Sequence, residues 1–367
     1  MIIHFSILAV ILSISFLWEK GTKSNKIKFP NYVMPLIPWL IIFGYIAFLA
    51  AMRTEMNDTS VYVASFKNTP GTIQSALNVL IGDSKDKGFY FFTEIFKMFI
   101  SDNYHMWFAF FSFIESFCFI YILRKESVSI FDSCFFFFAS TLYYNYFSMM
   151  RQWFAAALFF LAFKWLKQRK FIPYLLMCLC AAQFHNSAYV CIPIYFLVHD
   201  KPFCNKQLIY AFIIAIMLLV LNPLLETLEN SSSTYSYVFD TMSQNTGSSP
   251  IRIIIAAVPV ILSFLEAKTI SIINNKTLNI VLNLSIINLI LNIVATFTSG
   301  LYLIRMSVYF NIFNMLLFPF LLEIILKGNN KKIIKTGFFV FYLLFFVYQM
   351  SHQGSCGYSS DILGKYY

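Results

Sequence analysis

The sequence is poor in charged residues, glycine and proline. Only 12% of its 367 residues are charged, against about 25% in soluble domains, and there are 12 glycines and 11 prolines. Hydrophobic residues make up 59% of the chain, more than a soluble core could bury, so lipid is their expected solvent. The apolar runs are continuous rather than alternating, which favours helices over a β-barrel.

Several signatures of other enzyme classes are also missing. The seven cysteines are scattered and show neither zinc-ligand spacing nor a disulfide framework. There is no Walker A loop, no G-x-S-x-G elbow and no H-E-x-x-H pair. These absences argue against ATP-driven transport within the chain, serine-hydrolase chemistry and zinc peptidase chemistry. The net charge of +10 sits in short clusters between apolar runs, which favours membrane topology over nucleic-acid binding.

The apolar segments predict an all-α fold, a polytopic transmembrane helical bundle of about 11–12 spans within one membrane domain, 1–367. The segments are 2–18, 33–52, 105–123, 129–149, 152–166, 172–184, 187–198, 208–224, 251–267, 278–298, 305–326 and 336–350. The pair 172–184 and 187–198 is short for two spans. It fits one long helix, two tilted helices, or a helix broken around His185 and Asn186.

The basic residues predict the sidedness of the segments. With the N-terminus outside and 1–18 retained as a first helix, the cytoplasmic loops are 19–32, 124–128, 164–171, 199–207, 268–277 and 327–335. These loops carry 18 of the 27 lysines and arginines, as the positive-inside rule expects. One span over 172–198 would move the lysine cluster of 327–335 outside, so two spans are preferred. Two polar insertions then lie on the outer face: 53–104, which contains short amphipathic helices, and 225–250.

Four of the six arginines fall at the predicted outer ends of helices, where the positive-inside rule disfavours them. They are Arg53, Arg151, Arg252 and Arg305. Arginine binds phosphate through paired hydrogen bonds, so four outward guanidiniums suit a phosphate or pyrophosphate ligand. The alternative is that each long side chain simply snorkels to the interface.

Two residues near the same predicted face could move a proton. His185 lies between two apolar runs, where an imidazole can act as a base near neutral pH. The alternative is a histidine that is hydrogen-bonded inside the bundle. Asp58 follows the second span and could orient a sugar hydroxyl or act as a base, whereas Asp, Asn and Thr there also suit a helix cap.

An ordered set of short motifs resembles the EpsG family of bacterial polysaccharide polymerases, relatives of the Wzy O-antigen polymerases. The motifs are Arg53 with Asp58, Thr59 and Tyr62; Arg151 with Gln152; Phe184 and His185 with Ser187; and Arg305 with Tyr309. They cover about 53–310. Residues 311–367 match no motif, and Arg252 is a topological inference rather than part of the resemblance.

The resemblance implies a fold related to the GT-C glycosyltransferases and a site on the outer face of the bacterial cytoplasmic membrane. The substrate would be an oligosaccharide repeat unit on undecaprenyl pyrophosphate, used for O-antigen, capsule or exopolysaccharide. Transfer would invert the anomeric centre and need no metal and no cofactor. A chain-length regulator is a further possible partner. The implied catalytic residues are His185, Asp58, Arg151 and Arg305, and the implied substrate-binding residues are Arg53, Thr59, Tyr62, Gln152, Arg252 and Tyr309.

Three other functions fit parts of the sequence. An O-antigen ligase would use the same donor with a different acceptor. A transporter or flippase of lipid-linked sugars would place charged residues along a mid-membrane path, whereas here they gather at one predicted face. A membrane scaffold without a site would leave the outer arginines unexplained.

Overall fold

A computed structural model gives the fold and describes residues 2–29, 31–82, 85–206, 209–210, 249–297, 301–326, 331–352 and 357–366. Nearly all regular structure in these ranges is helical, which confirms the all-α prediction. The α-helices are α1 (Ile2–Lys28), α2 (Leu36–Met52), α3 (Thr59–Asn68), α4 (Ile73–Ile81), α5 (Lys87–Phe99), α6 (Tyr104–Glu126), α7 (Ile130–Ala139), α8 (Met150–Lys167), α9 (Phe171–Phe184), α10 (Ile194–Leu197), α11 (Ile251–Leu265), α12 (Ala267–Ile273), α13 (Lys276–Phe297), α14 (Leu301–Asn311), α15 (Asn314–Phe320) and α16 (Lys331–His352). The predicted span 208–224 and the predicted loop 225–250 lie outside the described residues, apart from 209–210 and 249–250.

Shorter elements complete the described chain. Two 3₁₀ segments cover Leu142–Tyr146 and Asn186–Cys191, and a π-helical turn covers Leu321–Ile325. Near the C-terminus, β1 (Tyr358–Ser360) pairs with β2 (Gly364–Tyr366) as a small antiparallel hairpin.

The chain forms two compact units. The first comprises Met1–Ile192 and Leu322–Tyr367, and the second comprises Pro193–Leu321. Across the described ranges, four helices (α1, α6, α13 and α16) are long and apolar enough to cross a membrane, and two bent helix pairs raise that number to six. The chain is therefore a multi-pass membrane protein, and the total of about 11–12 spans stays a prediction.

Two predicted segments differ from the observed helices of the first unit. Helix α1 does not end near residue 18 but continues through its polar part to Lys28. The apolar run 129–149 is not one helix, because α7 ends at Ala139. There the Ser140 hydroxyl donates to the carbonyl of Phe136 at 2.6 Å, and Thr141 takes a left-handed backbone conformation with φ of 63°. Side-chain bonds of this kind compete with the helical ladder and help to end it.

The core of the first unit lies between α2, α6 and α8. Two hydroxyls of α6 cross to α2: Ser112 donates to the carbonyl of Ala47 at 3.2 Å, and Ser116 donates to that of Phe43 at 3.1 Å. Small polar residues allow membrane helices to approach closely in this way. On the same face of α6, the ring of Phe119 stacks on Trp153 of α8, with centroids 5.2 Å apart.

Four loops predicted to share the cytoplasmic side meet at one end of the first unit. Lys26 contacts the carbonyl of Lys125, Lys167 pairs with Glu126 at 2.7 Å, and Lys23 and Lys335 both pair with Glu323. These contacts place the loops at one end of the unit, and their cytoplasmic location stays a prediction.

The chain reverses direction after α9, so 172–198 is not one long helix. His185 is extended, with φ of −155°, and the following 3₁₀ segment runs back beside α9. The Tyr174 hydroxyl, near the start of α9, donates to the carbonyl of Cys191 at 2.5 Å, and both residues are buried. This return places His185 at the tip of a turn.

The second unit packs α11, α14 and α15 around α13. A bend of 71° separates α11 from α12. Asn283 of α13 ties the start of the unit to this core, because its amide donates to the carbonyls of Val198 and Asp200, both at 2.9 Å.

Candidate active site

A carboxylate at the start of α5 joins two functional side chains predicted from the sequence. Asp86 is only 5% exposed. Its Oδ2 pairs with Nη1 of Arg151 at 2.8 Å, and its Oδ1 accepts the backbone N–H of Asn186 at 2.9 Å. Nδ1 of His185 lies 3.4 Å from both oxygens, a long contact. Asp86, Arg151 and His185 form the Asp–Arg–His cluster.

Close packing between α5 and α9 brings Asp86 to this position. A Cβ on Gly88 would lie 2.5 Å from the Cβ of Gln183 and 2.9 Å from its carbonyl oxygen. Only glycine allows the first turn of α5 to approach the end of α9 so closely. Asp86 itself caps α5 in a left-handed conformation, with φ of 57°. Such strain costs about 1–3 kcal/mol and persists only where the surrounding structure fixes it.

Arg151 lies in the first turn of α8 and faces two tyrosines. Met149, two residues earlier, is also left-handed, with φ of 48°, so the chain turns sharply into the helix. Nη1 of Arg151 also donates to the Tyr90 hydroxyl at 3.2 Å. Burial raises the pKa of the Tyr62 phenol, and the adjacent Arg151 opposes that rise. The Arg151 side chain remains 32% exposed, so it is anchored and still accessible to an anion.

His185 is oriented by the same carboxylate. Because Nδ1 faces Asp86, the other ring nitrogen, Nε2, points away from it. A neutral imidazole with its proton on Nδ1 can accept a proton at Nε2. The side chain is 26% exposed, so a substrate hydroxyl could reach it.

The cluster keeps Asp86 ionised. Burial alone would raise the pKa of this carboxyl. The hydrogen bonds from His185 and from the Asn186 N–H, together with the charge of Arg151, oppose this rise, and the pKa lies below its ordinary value. Asp86 therefore acts as a fixed negative charge between a cation and an imidazole.

The model of the EpsG family matches residues 36–361, which include the whole Asp–Arg–His cluster. The chain belongs to the EpsG family. The match also extends past residue 310, into the part of the sequence that carries none of the recognised motifs. No curated protein and no solved structure matches the chain.

Arg53, the first arginine of the EpsG motifs, is buried rather than presented at the surface. Its Nε donates to Thr59 Oγ1 at 3.1 Å, its Nη1 donates to the carbonyl of Ala50, and its guanidinium lies 4.0 Å from the ring centre of Phe108. Thr59 is buried as well, and its hydroxyl donates to the carbonyl of Met56 at 2.5 Å. Both side chains thus hold the turn between α2 and α3, and their predicted contact with substrate stays a prediction.

Asp58, Tyr62 and Gln152 surround this turn and the start of α8. Asp58 precedes α3, but its exposed side chain makes no capping hydrogen bond. Its backbone carbonyl accepts the N–H of Tyr62 at 3.1 Å, and the Tyr62 ring lies edge-on to Phe89 of α5. Gln152 is buried beside Arg151 in α8. Tyr62 reaches the Asp–Arg–His cluster through a side-chain hydrogen bond with Arg151.

Three predicted site residues belong to the second unit. Arg252 is half-buried in the first turn of α11. Arg305 and Tyr309 lie one turn apart on α14, with Arg305 exposed and Tyr309 buried. Their participation in one site with Arg151 and His185 stays a prediction.

The sequence reasoning missed Asp86, Gly88 and Tyr90. Asp86 lies in a run of alternating charge between Gly82 and Gly88, a pattern typical of a solvated loop. The available signal was the glycine directly after this run and before an amphipathic helix, since a glycine there can mark a close approach of two backbones.

Proposed function

We propose that this EpsG-family chain is a polysaccharide polymerase that joins oligosaccharide repeat units carried on undecaprenyl pyrophosphate. The reaction would take place at the outer face of the bacterial cytoplasmic membrane. The observation that carries the proposal is the Asp–Arg–His cluster, which places an accessible imidazole and an accessible guanidinium on one buried carboxylate.

The reaction is a direct displacement. An acceptor hydroxyl of one lipid-linked repeat unit attacks the anomeric carbon of the growing glycan. The new C–O bond forms as the bond to the lipid pyrophosphate breaks, and the configuration inverts. The hydroxyl loses its proton, and the leaving pyrophosphate gains negative charge.

The residues of the cluster divide these tasks. His185 would take the acceptor proton at Nε2, a role for which Asp86 fixes the tautomer. Arg151 would stabilise the charge that develops on the pyrophosphate. Arg305 and Arg252 keep the catalytic and substrate-binding roles that the sequence predicts for them. Asp58 remains the second candidate base, because its carboxylate is exposed near Tyr62.

Deletion of the gene in its host tests the proposed function. We expect the long ladder of surface glycan to disappear from a gel while a single capped repeat unit remains. Loss of every repeat unit would instead indicate a ligase or a flippase and would contradict the proposal.

Complementation of the deletion strain tests the residues. His185→Ala and Arg151→Ala should fail to restore the ladder, and Arg151→Lys should restore it weakly, because lysine keeps the charge but not the paired donors. His352→Ala is the matched control, since His352 is exposed and bonds within its own helix. A full ladder with His185→Ala or Arg151→Ala would refute the site.

A further inference from the structure

A groove of about 900 Å³ runs along α1 in the first unit, far in sequence from the Asp–Arg–His cluster. One wall is a single face of α1, and Phe131 of α7 contributes to the other side. The groove covers the point where α1 passes from its apolar segment into its polar part. Its lining changes from apolar to basic along the helix.

The part of the groove before its first lysine is nearly as long as one membrane leaflet. At 1.5 Å per residue, the stretch from Leu12 to Lys20 is about 12 Å, and Leu12 and Phe16 line it. Half of a hydrocarbon core of about 30 Å is about 15 Å. Phe16 is 89% exposed, so the wall is open to the surrounding lipid. An acyl chain would fit along it.

The other end of the groove is basic. Lys20, Lys23 and Lys28 line it, and Lys20 and Lys28 are exposed. Lys23 pairs with Glu323 of the same unit. The one acidic lining residue, Glu19, is held by the Ser129 hydroxyl and by the backbone N–H of Phe131 at 3.0 Å. Net positive charge therefore remains at this end.

We propose that the groove binds an anionic phospholipid, with its acyl chains along Leu12 and Phe16 and its phosphate between Lys20 and Lys28. The basic end belongs to the loop 19–32, predicted to be cytoplasmic, and the cytoplasmic leaflet carries the anionic lipids that basic segments attract. The proposal does not depend on the polymerase reaction. It assigns to α1 a regulatory or stabilising lipid site at the end of the first unit opposite to the Asp–Arg–His cluster.

Native mass spectrometry of the purified full chain in detergent tests this site. With phosphatidylglycerol as the probe, we expect one tightly bound lipid per chain, and much weaker binding of phosphatidylcholine. The double variant Lys20→Gln/Lys28→Gln should weaken phosphatidylglycerol binding about 30-fold, which corresponds to about 1 kcal/mol for each lysine. Phe16→Gln should also weaken it, because the apolar wall becomes polar.

Lys332→Gln is the matched control, because Lys332 is an exposed lysine of another loop predicted to be cytoplasmic and does not line the groove. It should change binding by less than about twofold. Equal losses in the control and in the double variant would overturn the proposal, since they would indicate general surface charge. Displacement of the bound phosphatidylglycerol by inorganic phosphate alone would overturn the lipid assignment. A dimer that Phe16→Gln breaks would overturn it as well, since a second copy of the chain would then fill the groove.

Discussion

The replacement of Asp86 by asparagine separates charge from shape in the Asp–Arg–His cluster. Asparagine keeps an oxygen that can accept the N–H of Asn186, now 2.9 Å away, but it removes the charge that pairs with Arg151 at 2.8 Å. A charge-assisted hydrogen bond contributes about 1.5–3 kcal/mol, and exposed pairs contribute less than about 1 kcal/mol. Because Arg151 is 32% exposed, we expect a loss of about 1–2 kcal/mol in the free energy of unfolding.

The expected loss of activity is larger than the loss of stability. A general base contributes about 10²–10⁴-fold to the rate. The contact from His185 to Asp86 is long, at 3.4 Å, so the carboxylate supplies part of that factor. We expect Asp86→Asn to lower the initial rate of ladder formation in membrane vesicles about 10–100-fold, at equal protein amounts.

Asp102→Asn is the control for this experiment. Asp102 is an exposed carboxylate of the same polar insertion, and it should tolerate the change in both activity and stability. Equal activity of Asp86→Asn and Asp102→Asn would refute the role given to the cluster.

The pH dependence of stability gives a second test of the role of Asp86. The pKa of Asp86 is lower in the folded protein than in the unfolded chain, where it is about 3.9. The contribution of Asp86 to the free energy of unfolding is therefore complete above the unfolded pKa and is lost as pH falls through the folded pKa. The difference in unfolding temperature between wild type and Asp86→Asn should therefore stay constant from pH 7 to 5 and shrink below about pH 4. A difference that disappears near pH 6 would contradict the depressed pKa.

Two further substitutions test the packing around the site. Gly88→Ala should lower activity by an order of magnitude or more, because the added Cβ would collide with Gln183 and push α5 away from α9. Gly337→Ala is the control, since a Cβ at Gly337 would have no atom within 4 Å. Equal activity of the two variants in the vesicle assay would contradict the argument. Arg53→Lys should lower the unfolding temperature of the purified protein, since lysine cannot both bond to Thr59 and lie flat on an aromatic ring; an unchanged unfolding temperature would mean that Arg53 does not hold the turn.

The helical membrane architecture was predictable because long apolar runs have few alternatives to a helix in lipid. The loops that meet at the basic end were predictable for a related reason, since the distribution of lysine and arginine reports sidedness. The break after Ala139 was not, because Ser140 and Thr141 change the local backbone inside an uninterrupted apolar run. Hydropathy carries no information on such a bond.

The candidate site was predictable in part. Arg151 and His185 stand out as polar residues at the ends of apolar helices, and the structure brings them to one carboxylate. That carboxylate, Asp86, lies 65 residues before Arg151 and 99 before His185, so only the packing of α5 against α9 could identify it. Topological reasoning carries no information on burial: Arg53, a helix-end arginine predicted at the outer face, is packed against Phe108.

Reconstitution of the purified chain with lipid-linked repeat units tests the central claim most directly. Wild-type protein alone should convert them into a ladder of multiples and release one lipid pyrophosphate for each bond formed. The His185→Ala and Arg151→Ala proteins should give neither the ladder nor released lipid pyrophosphate, while His352→Ala should behave as wild type. Release of lipid pyrophosphate without a ladder, or a ladder from the His185→Ala protein, would contradict the account.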